Sequence, residues 1–290
     1  MSITLNTDCI LCHLRRNTDI ARGLGTQQQL DAFTRGLLEV YLNLPEGACS
    51  VWTEPGTDAM YQKIYGISGD RYAEEKEFSN RFAMERLDQI RTMAETAEDP
   101  VFAGLQLSIL GNYLDFCALH GEVSFEKLDE LLNLAQTYDL DRDVYGKLCS
   151  DLENGKKLLY LTDNAGEIVF DRIFAEQIAK RYPHLEITFC VRGGFALNDA
   201  TRADAEVVGV PFPVIDNGVC MGGTPLEALS AEAKLAMDTA DVIISKGMGN
   251  AETLLDCGYN IYYAFLVKCI RFEQRFRKPR MTPMLVRERD

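Results

Sequence analysis

The amino-acid sequence predicts an α/β/α sandwich with a mostly parallel sheet, preceded by an all-helical N-terminal domain. Two observations predict this fold class. Residues 7–154 show helical periodicity with almost no strand-like run, whereas short apolar runs alternate with helical segments after Gly155. Strands that alternate with helices are typical of a parallel sheet covered on both faces. We therefore divide the chain into a helical domain, residues 1–154, and a Rossmann-like domain, residues 155–290.

Four segments of the first half are predicted as helices, at residues 30–44, 72–97, 99–119 and 124–138. The first two carry apolar residues at three- and four-residue spacing, so each is expected to be one amphipathic helix. The third is richer in apolar residues and is expected to be buried. Its opening Asp99-Pro100 favours a helix start, and Ser124 is the expected N-cap of the fourth helix.

Five short apolar runs of the second half are predicted as strands, at residues 157–163, 186–193, 210–216, 241–247 and 260–269. Helical patterns separate them at residues 167–182, 199–209, 226–240 and 251–258. Continuous apolar runs such as DVIIS are typical of strands that are buried on both faces. The tail, residues 271–290, is basic and polar and is predicted to be a loose end or a packing arm.

Composition limits the classes of partner. The chain has 290 residues, of which 47% are hydrophobic, and its formal net charge is −14. A strongly acidic surface repels phosphodiester backbones, so nucleic acid is not expected as a partner. No apolar run approaches the length that spans a bilayer and no secretory signal is visible, so no membrane partner is expected. Nine scattered cysteines fit reduced thiols and a cytoplasmic location better than a disulfide framework.

Polar side chains follow the predicted strands at the points where they end. In strand order these are Asp163-Asn164, Asn198-Asp199, Asp216-Asn217, and Lys246 with Asn250. Ligands of open parallel sheets bind beyond the carboxyl ends of the strands. Two carboxylates and an amide oxygen suit Mg²⁺ or Mn²⁺, and a lysine balances the charge of a phosphate. The pattern therefore predicts a metal and a phosphoryl group side by side, as phosphoryl transfer to water requires.

Turn chemistry is the alternative interpretation of the same residues. Asp163, Asp199 and Asp216 are of a type that routinely fills turns and helix N-caps, and Lys246 would then be a solvated charge. The chain has no Walker-type GxxxxGK[ST] motif, and KGMGN is not a G-x-G-x-x-G fingerprint. The residues alone leave both interpretations open.

Six motifs along the chain together resemble one family. They are CILC near the N-terminus, KEFSN, LGNYLDF, TDNAGEIVFD, LNDAT and SKGMGNAETL. In this order and spacing they are similar to the metal-dependent damage-control phosphatases, long catalogued as a domain of unknown function. That family includes the human acidic-residue methyltransferase-like protein and the phosphatase domain of some pantothenate kinases. The Cys9-x-x-Cys12 pattern resembles the start of the microbial subgroup.

The resemblance implies a set of site residues. It implies that Asp163, Asn164 and Asp199 bind the divalent metal. It implies that Lys246 contacts the phosphate, and that Asp115 and Asn112, on the buried helix, close the site from the helical side. Asp163, Lys246 and Asp115 are the implied catalytic residues. The implied substrate-binding residues are Asn112, Lys246, Asn250, Glu167, Lys76 and Asn80.

The implied reaction is hydrolysis of a small phosphomonoester, such as a sugar phosphate or a damaged phosphometabolite, with Mn²⁺, Mg²⁺, Co²⁺ or Ni²⁺ as cofactor. We expect a metal-activated water as the nucleophile because Asp163 is already needed as a ligand, and an aspartyl-phosphate on Asp163 is the alternative. Two other functions stay open: a non-catalytic phosphometabolite-binding protein, and a nucleotide- or S-adenosylmethionine-dependent transferase. Cys9 and Cys12 are predicted to be packed thiols, with half of a zinc site as the alternative.

Overall fold

The computed structural model describes residues 3–115 and 125–287, and a six-stranded sheet lies at its centre. The strands are β1 (Lys157–Leu161), β2 (Glu186–Val191), β3 (Val214–Asp216), β4 (Val242–Lys246), β5 (Ile261–Leu266) and β6 (Pro283–Arg287). Their order across the sheet is β3-β2-β1-β4-β5-β6. The first five strands are parallel, and β6 pairs with β5 in the antiparallel direction. The predicted α/β class with a mostly parallel sheet and an N-terminal helical region is confirmed.

Helices surround this sheet within the described residues. Those that precede it are α1 (Thr7–Arg22), α2 (Gln27–Leu42), α3 (Glu54–Tyr65), α4 (Ala73–Met84), α5 (Leu87–Glu95), α6 (Pro100–Gly111), α7 (Phe125–Ala135) and α8 (Arg142–Asn154). Those that connect or follow the strands are α9 (Glu167–Arg181), α10 (Arg202–Val208), α11 (Ala231–Thr239), α12 (Gly247–Leu254) and α13 (Ile270–Phe276). None of these helices has both the length and the apolar character that crossing a bilayer requires.

Side chains of each strand alternate between two cores, one on each face of the sheet. In β1, Leu158 and Tyr160 join the core that contains α6 and α9, whereas Leu159 and Leu161 join the core that contains α11, α12 and α13. Helices α1 to α3 share a smaller core of their own around Phe33. Helix α6, from the first half of the chain, packs in the core on one face of the sheet, and the sheet itself begins with β1 at Lys157. The division into domains at residue 155 stays a prediction.

Helix α6 begins where the sequence predicts. The Asp99 side chain caps it by accepting from the Phe102 N–H at 3.1 Å, and Pro100 occupies the first turn. The helix ends earlier than predicted, at Gly111, because the chain tightens there into a turn in which the Tyr113 N–H bonds to Leu110 at 2.8 Å. Asn112 therefore caps the helix, and Asp115 lies beyond it. Residues 116–119 of the predicted helix, and Ser124, lie outside the described residues.

The prediction of one helix over residues 72–97 is wrong, because α4 and α5 are separate. The Arg86 guanidinium donates to the Phe82 carbonyl at 3.1 Å, while the Arg86 N–H bonds to Ala83 instead. The α-helical ladder is thus interrupted at Glu85-Arg86, since Phe82 is the carbonyl that the Arg86 N–H would meet in a continuous helix.

Of the two predictions for the tail, a packing arm is right and a loose end is wrong, because the described part of the tail forms most of α13 and all of β6. Phe272 of α13 is buried in the core, edge-on to Phe265 of β5 with ring centroids 5.3 Å apart. In β6, Leu285 is buried and Arg287 donates to Asp151 at 3.0 Å. A seven-residue helix is too short to show clear periodicity, and an edge strand carries polar residues on its open side, so the composition resembles a free end.

Helices α6 and α9 approach closely through two glycines of α6. A Cβ on Gly104 would lie 3.2 Å from the Phe174 Cα, and one on Gly111 would lie 3.0 Å from the Phe170 Cβ. Helix α9 begins directly after the polar turn that follows β1. The tight contact therefore fixes the position of that turn relative to Asn112, which ends α6.

We predict opposite effects of alanine at two helical glycines. Gly104→Ala should destabilise the protein by about 1–2 kcal/mol, because overpacking outweighs the gain in helix propensity. Gly146→Ala, on exposed α8 with nothing within 4 Å of the added Cβ, should stabilise it by about 0.5–1 kcal/mol. Urea denaturation of both variants measures the difference. Equal effects of the same sign would contradict the close packing of α6 on α9.

Candidate active site

A cavity of about 330 Å³ opens at the carboxyl end of the parallel strands. Its wall combines the edge of the sheet with residues of α1, α3 and α13. The acidic and amide residues on the wall include Glu54, Asp115, Asp163, Asn164, Asn198, Asp199 and Glu252. The basic residues on it are Arg16, Lys268, Arg271 and Arg280. A concave site of this size holds a small metabolite.

The turn after β1 holds Asp163 and Asn164 on the wall of this cavity. The turn reaches α9 through Gly166, whose φ of 77° favours glycine, and a Cβ there would lie 2.8 Å from the Ser79 Cβ. Asn80 of α4 accepts from the Gly166 N–H at 2.7 Å. Gly247 of α12 passes so close that a Cβ on it would collide with the Asp163 carboxylate. Sequence-distant segments therefore fix the turn from both sides.

The turn after β2 brings Asp199 to the same place. Asn164 and Asp199 form an isolated β-bridge, and the Ala200 N–H donates to the Asp163 carbonyl at 2.7 Å. Both carboxylates face Arg192: its Nε lies 2.6 Å from Asp199 Oδ2, and its Nη2 lies 3.5 Å from Asp163 Oδ1. The structure thus brings together the three residues implied as metal ligands, and their role as ligands stays a prediction.

Burial and neighbouring acids disfavour the charged form of Asp163. Burial raises its pKa well above the ordinary value of 3.8, and the Asp199, Glu167 and Asp115 carboxylates raise it further. The pKa of Asp199 is also raised by burial, although Arg192 opposes the shift. A cation placed between the two carboxylates would remove both penalties.

Lys246 does not line the cavity but lies behind it, with 0% of its surface exposed. Its Nζ donates to Glu167 and to the Ser108 carbonyl, both at 2.8 Å, and to Asp171 at 3.0 Å. Burial alone would lower the pKa of Lys246, but the two carboxylates raise it overall. The implied contact of Lys246 with a phosphate has no room in this arrangement, because the ammonium group already uses three donors.

Asn112 connects the Lys246 network to Asp163. Its side-chain amide donates to Asp163 Oδ2 at 3.0 Å and to the Glu167 carboxylate at 3.0 and 3.1 Å. Its carbonyl oxygen accepts from the Leu266 N–H at the end of β5. Glu167 also accepts from Asn164 Nδ2 at 2.7 Å. Asn112 and Glu167 are fully buried and orient Asp163 and Asn164, and neither lines the cavity.

Three further residues implied to bind the substrate make contacts away from the cavity. Lys76 and Asn80 point together, as their spacing suggests, but onto Asp204 of α10, at 3.0 Å and 2.8 Å. Asn250 donates to the Thr162 and Lys246 carbonyls, and accepts from Arg192 and the Thr224 hydroxyl. The KEFSN motif therefore joins α4 to α10 and to the Asp-Asn turn.

Asp115 does line the cavity, next to a lysine to which the sequence pattern gives no role. Lys268 follows β5, is 1% exposed, and donates to Asp115 Oδ2 at 2.8 Å. It is the only charged residue of the apolar run NIYYAFLVKC, and a single charge at the end of a buried strand could have identified it as a candidate site residue. Lys268 is the buried cation that faces the cavity, the position expected of Lys246.

Glu54 is the second residue that the sequence pattern misses. It opens α3, lines the cavity, and accepts from the Gly222 N–H at 2.8 Å. Burial and the nearby Asp199 carboxylate raise the pKa of Glu54 to about 8. The motif EPGT only signals a helix start, because the meeting of α3 with this edge of the sheet depends on tertiary packing.

Charges at this edge of the sheet do not balance within the described residues. Three buried cations, Lys246, Arg192 and Lys268, pair with the carboxylates of Glu167, Asp171, Asp163, Asp199 and Asp115. Five carboxylates, besides Glu54, thus share three buried cations, and burial together with this shortage of positive charge raises the pKa values of Asp163 and Asp199. If all five carboxylates were ionised, they would exceed the three cations by two charges, which is the charge of one divalent cation.

A metal ion at this edge would need amide ligands as well as acids. In the parts of the chain that the structure describes, no three His, Cys, Asp or Glu side chains form a cluster that could hold a metal ion. The Asn198 Oδ1, on the cavity wall, is buried and has no hydrogen-bond partner among the described residues. Two acids with neighbouring amide oxygens are a set of hard donors that suits a small divalent cation.

Cys9 and Cys12 lie on the opposite wall of the cavity, on α1, and are free thiols, as is every other cysteine within the described ranges. Burial raises the pKa of the Cys9 thiol. His13 lies beside them, and its Nδ1 is 2.9 Å from the Thr53 hydroxyl. The zinc alternative for this pair stays a prediction.

Comparison with known proteins identifies the family. The description "damage-control phosphatase ARMT1-like domain" belongs to the family model that matches residues 5–279. The chain belongs to this family.

Relatives in archaea agree with the damage-control phosphatase assignment. An uncharacterised protein of Methanocaldococcus jannaschii is 34% identical over 92% of this chain and 90% of its own length. A protein of Archaeoglobus fulgidus named damage-control phosphatase is 32% identical over 72% of this chain and 74% of its own length. A crystal structure of a DUF89 family protein from Pyrococcus horikoshii has a TM-score of 0.85 and 24% identity, and covers 99% of this chain and 100% of that one. That structure shows the same fold.

In this damage-control phosphatase family member, we predict that Lys246→Met lowers the free energy of unfolding by about 3–5 kcal/mol, because it leaves Glu167 and Asp171 buried without a counter-charge. Urea denaturation measures the loss, with Lys156→Met, at an exposed lysine, as the matched control. A loss no larger than that of the control would mean that Lys246 is not the centre of the buried network.

We also predict that the metal-free protein loses stability as pH rises from about 4.5 towards 8, because folding holds Glu54 protonated and ionising it in place is costly. Glu54→Gln removes that contribution. The variant should therefore gain stability relative to the wild type across this window, by a few kcal/mol, and the gain should level off above pH 8. Denaturation in EDTA between pH 5 and pH 9 tests this. A difference between the two proteins that does not change with pH would contradict the assigned pKa.

Proposed function

We propose that this protein is a metal-dependent phosphatase that hydrolyses small phosphomonoesters with water as the nucleophile. The observation that carries the proposal is the meeting of Asp163 and Asp199 at the cavity wall, in a group of five carboxylates that share three buried cations. Membership of the damage-control phosphatase family supports the same reaction class. The relative named damage-control phosphatase in Archaeoglobus fulgidus supports it further.

Asp163, Asn164 and Asp199 are the proposed ligands of a divalent metal, which can be Mn²⁺, Mg²⁺, Co²⁺ or Ni²⁺. Asn198 Oδ1 offers a fourth oxygen at the same wall. A bound divalent ion would polarise a phosphoryl oxygen and lower the pKa of a water molecule. Hydrogen bonds from Asn112 and Asn164 hold the Asp163 carboxylate in one orientation, so the ligand geometry does not need to form during the reaction.

Lys268 is the proposed phosphate-binding lysine in place of Lys246. It reaches the cavity wall with its ammonium group on Asp115, so a phosphoryl group at that wall would meet its positive charge. Charge on the transferring oxygens is stabilised best by a cation that is already positioned and poorly hydrated. Lys246 instead acts as a positioning residue through Glu167 and Asn112.

Water is the proposed nucleophile because Asp163 is a proposed metal ligand and its carboxylate is held in place by its neighbours. Oδ2 accepts from Asn112 at 3.0 Å and from Asn164 at 2.8 Å, and Oδ1 faces Arg192. A carboxylate held in this way is better suited to bind a metal than to form a covalent bond with phosphorus. Detection of an aspartyl-phosphate on Asp163 by mass spectrometry after acid quench would reverse this assignment.

We predict that phosphate release from p-nitrophenyl phosphate requires one of these divalent metals and stops with EDTA. Asp163→Asn should lower kcat/KM by at least about a hundredfold, because it removes a ligand charge at the reacting centre. Asp216→Asn is the matched control, since Asp216 ends a strand in the same way but pairs with Arg202 at 2.6 Å, outside the cavity.

Two results would count against the phosphatase proposal. Equal activity of Asp163→Asn and the wild type would mean that hydrolysis takes place elsewhere. Binding of phosphorylated ligands without metal and without turnover would favour a phosphometabolite-binding protein.

A further inference from the structure

We propose that the cavity has a second, cationic end that binds an anionic group of the substrate remote from the scissile phosphate. The preferred substrates are then phosphomonoesters that also carry a carboxylate or a second phosphate. This inference rests on the proposed function, because it names the substrate class of the same cavity.

Arginines from three separate segments reach this end of the cavity. Arg16 comes from α1, Arg271 from the first turn of α13, and Arg280 from the segment before β6. One Nη of Arg271 donates to the Thr4 carbonyl at 3.2 Å, which fixes the side chain against the N-terminal segment. The Nε of Arg271 is buried and has no hydrogen-bond partner among the described residues.

A buried guanidinium N–H that lacks an acceptor is costly, and an anionic ligand would remove that cost. Guanidinium groups bind carboxylates and phosphates through two parallel hydrogen bonds, with geometry that a neutral hydroxyl does not match. The expected group is therefore an oxyanion, either a planar carboxylate or a tetrahedral phosphate.

The cationic end is distinct from the metal end. The charged and ionisable groups that influence Asp163 most are Asp199, Glu167, Asp115 and Lys268. Arg271 instead lies near Cys9 and Glu252, on the other side of the cavity. Glu54 lies between the two ends, since it interacts with Asp199 at one and with Arg16 at the other. A substrate that spans the cavity would thus meet a cation at each end.

Three acidic residues, Glu252, Glu273 and Asp8, also line this part of the cavity. Glu252 accepts from the Ser50 hydroxyl, and burial raises the pKa of Glu252. Glu273 accepts from the Arg280 N–H at 3.0 Å, and Asp8 is exposed to solvent. These acids match the three arginines in number, and none of them satisfies the buried Nε of Arg271, which is the feature that favours an anionic ligand.

Binding of non-hydrolysable ligands tests the proposal without turnover. The probes are ω-phosphonocarboxylates with three, four or five carbons, such as 3-phosphonopropionate, each paired with the ω-hydroxyalkylphosphonate of the same length. The matching α,ω-bisphosphonates distinguish a second phosphate from a carboxylate. Isothermal titration calorimetry of the full chain with MnCl₂ gives Kd for each ligand.

For at least one chain length, the ligand with a second anion should bind the wild type about tenfold more tightly than its hydroxyl partner. Arg271→Gln should reduce that preference to within about twofold. Arg271→Lys should leave an intermediate preference, because lysine keeps the positive charge but lacks the two parallel N–H donors of the guanidinium group. Arg275→Gln, on the same helix but outside the cavity, is the control and should keep the full preference.

The proposal is overturned if no second anion improves binding at any length, or if the preference survives in Arg271→Gln. These outcomes are separate from the fate of the proposed function. A protein that shows the preference but releases no phosphate from p-nitrophenyl phosphate fails as a phosphatase while this inference stands. A protein that hydrolyses the ester but shows no preference keeps the proposed function and loses the second anion site.

Discussion

Burial of several carboxylates at one edge of the sheet is the constraint on which this structure depends. Lys246, Arg192 and Lys268 lie at or just beyond the carboxyl ends of three parallel strands and neutralise part of that charge. The side-chain amides of Asn112 and Asn164 each donate hydrogen bonds to both Glu167 and Asp163. What the protein leaves uncompensated is near Asp163 and Asp199, where the cavity opens. The fold thus gathers buried carboxylates at the one place where we propose that a divalent cation binds.

Much of this edge could be predicted from the sequence. Strand-end positions of Asp163, Asn164 and Asp199 follow from the alternation of apolar runs with helices, and parallel strands bring such ends together. The structure brings these three residues together as that logic requires. The continuous apolar runs likewise predict a sheet that is buried on both faces, and Leu158 and Leu159 of β1 do join cores on opposite faces. Local sequence thus determines which residues arrive at the edge.

How deeply each side chain is buried, and which groups it contacts, could not be predicted in the same way. Lys246 and Lys268 both follow apolar strands, yet one is enclosed by Ser108, Glu167 and Asp171 and the other reaches the cavity wall. The difference arises from where α6 packs, which is a long-range contact. Glu54 and Arg271 come to the cavity because α3 and α13 cover it, and nothing in their local sequence signals this. A resemblance between motifs likewise predicts which residue is present more reliably than it predicts what that residue contacts.

The position of a bound metal ion tests this account most directly. A crystal of the protein grown with MnCl₂, with data collected at the manganese absorption edge, locates the ion by its anomalous scattering. The account predicts one strong peak in the cavity, within about 2.0–2.6 Å of carboxylate oxygens of both Asp163 and Asp199. A fully occupied ion bound elsewhere, or none at saturating Mn²⁺ with the two carboxylates held by Arg192 alone, would contradict it.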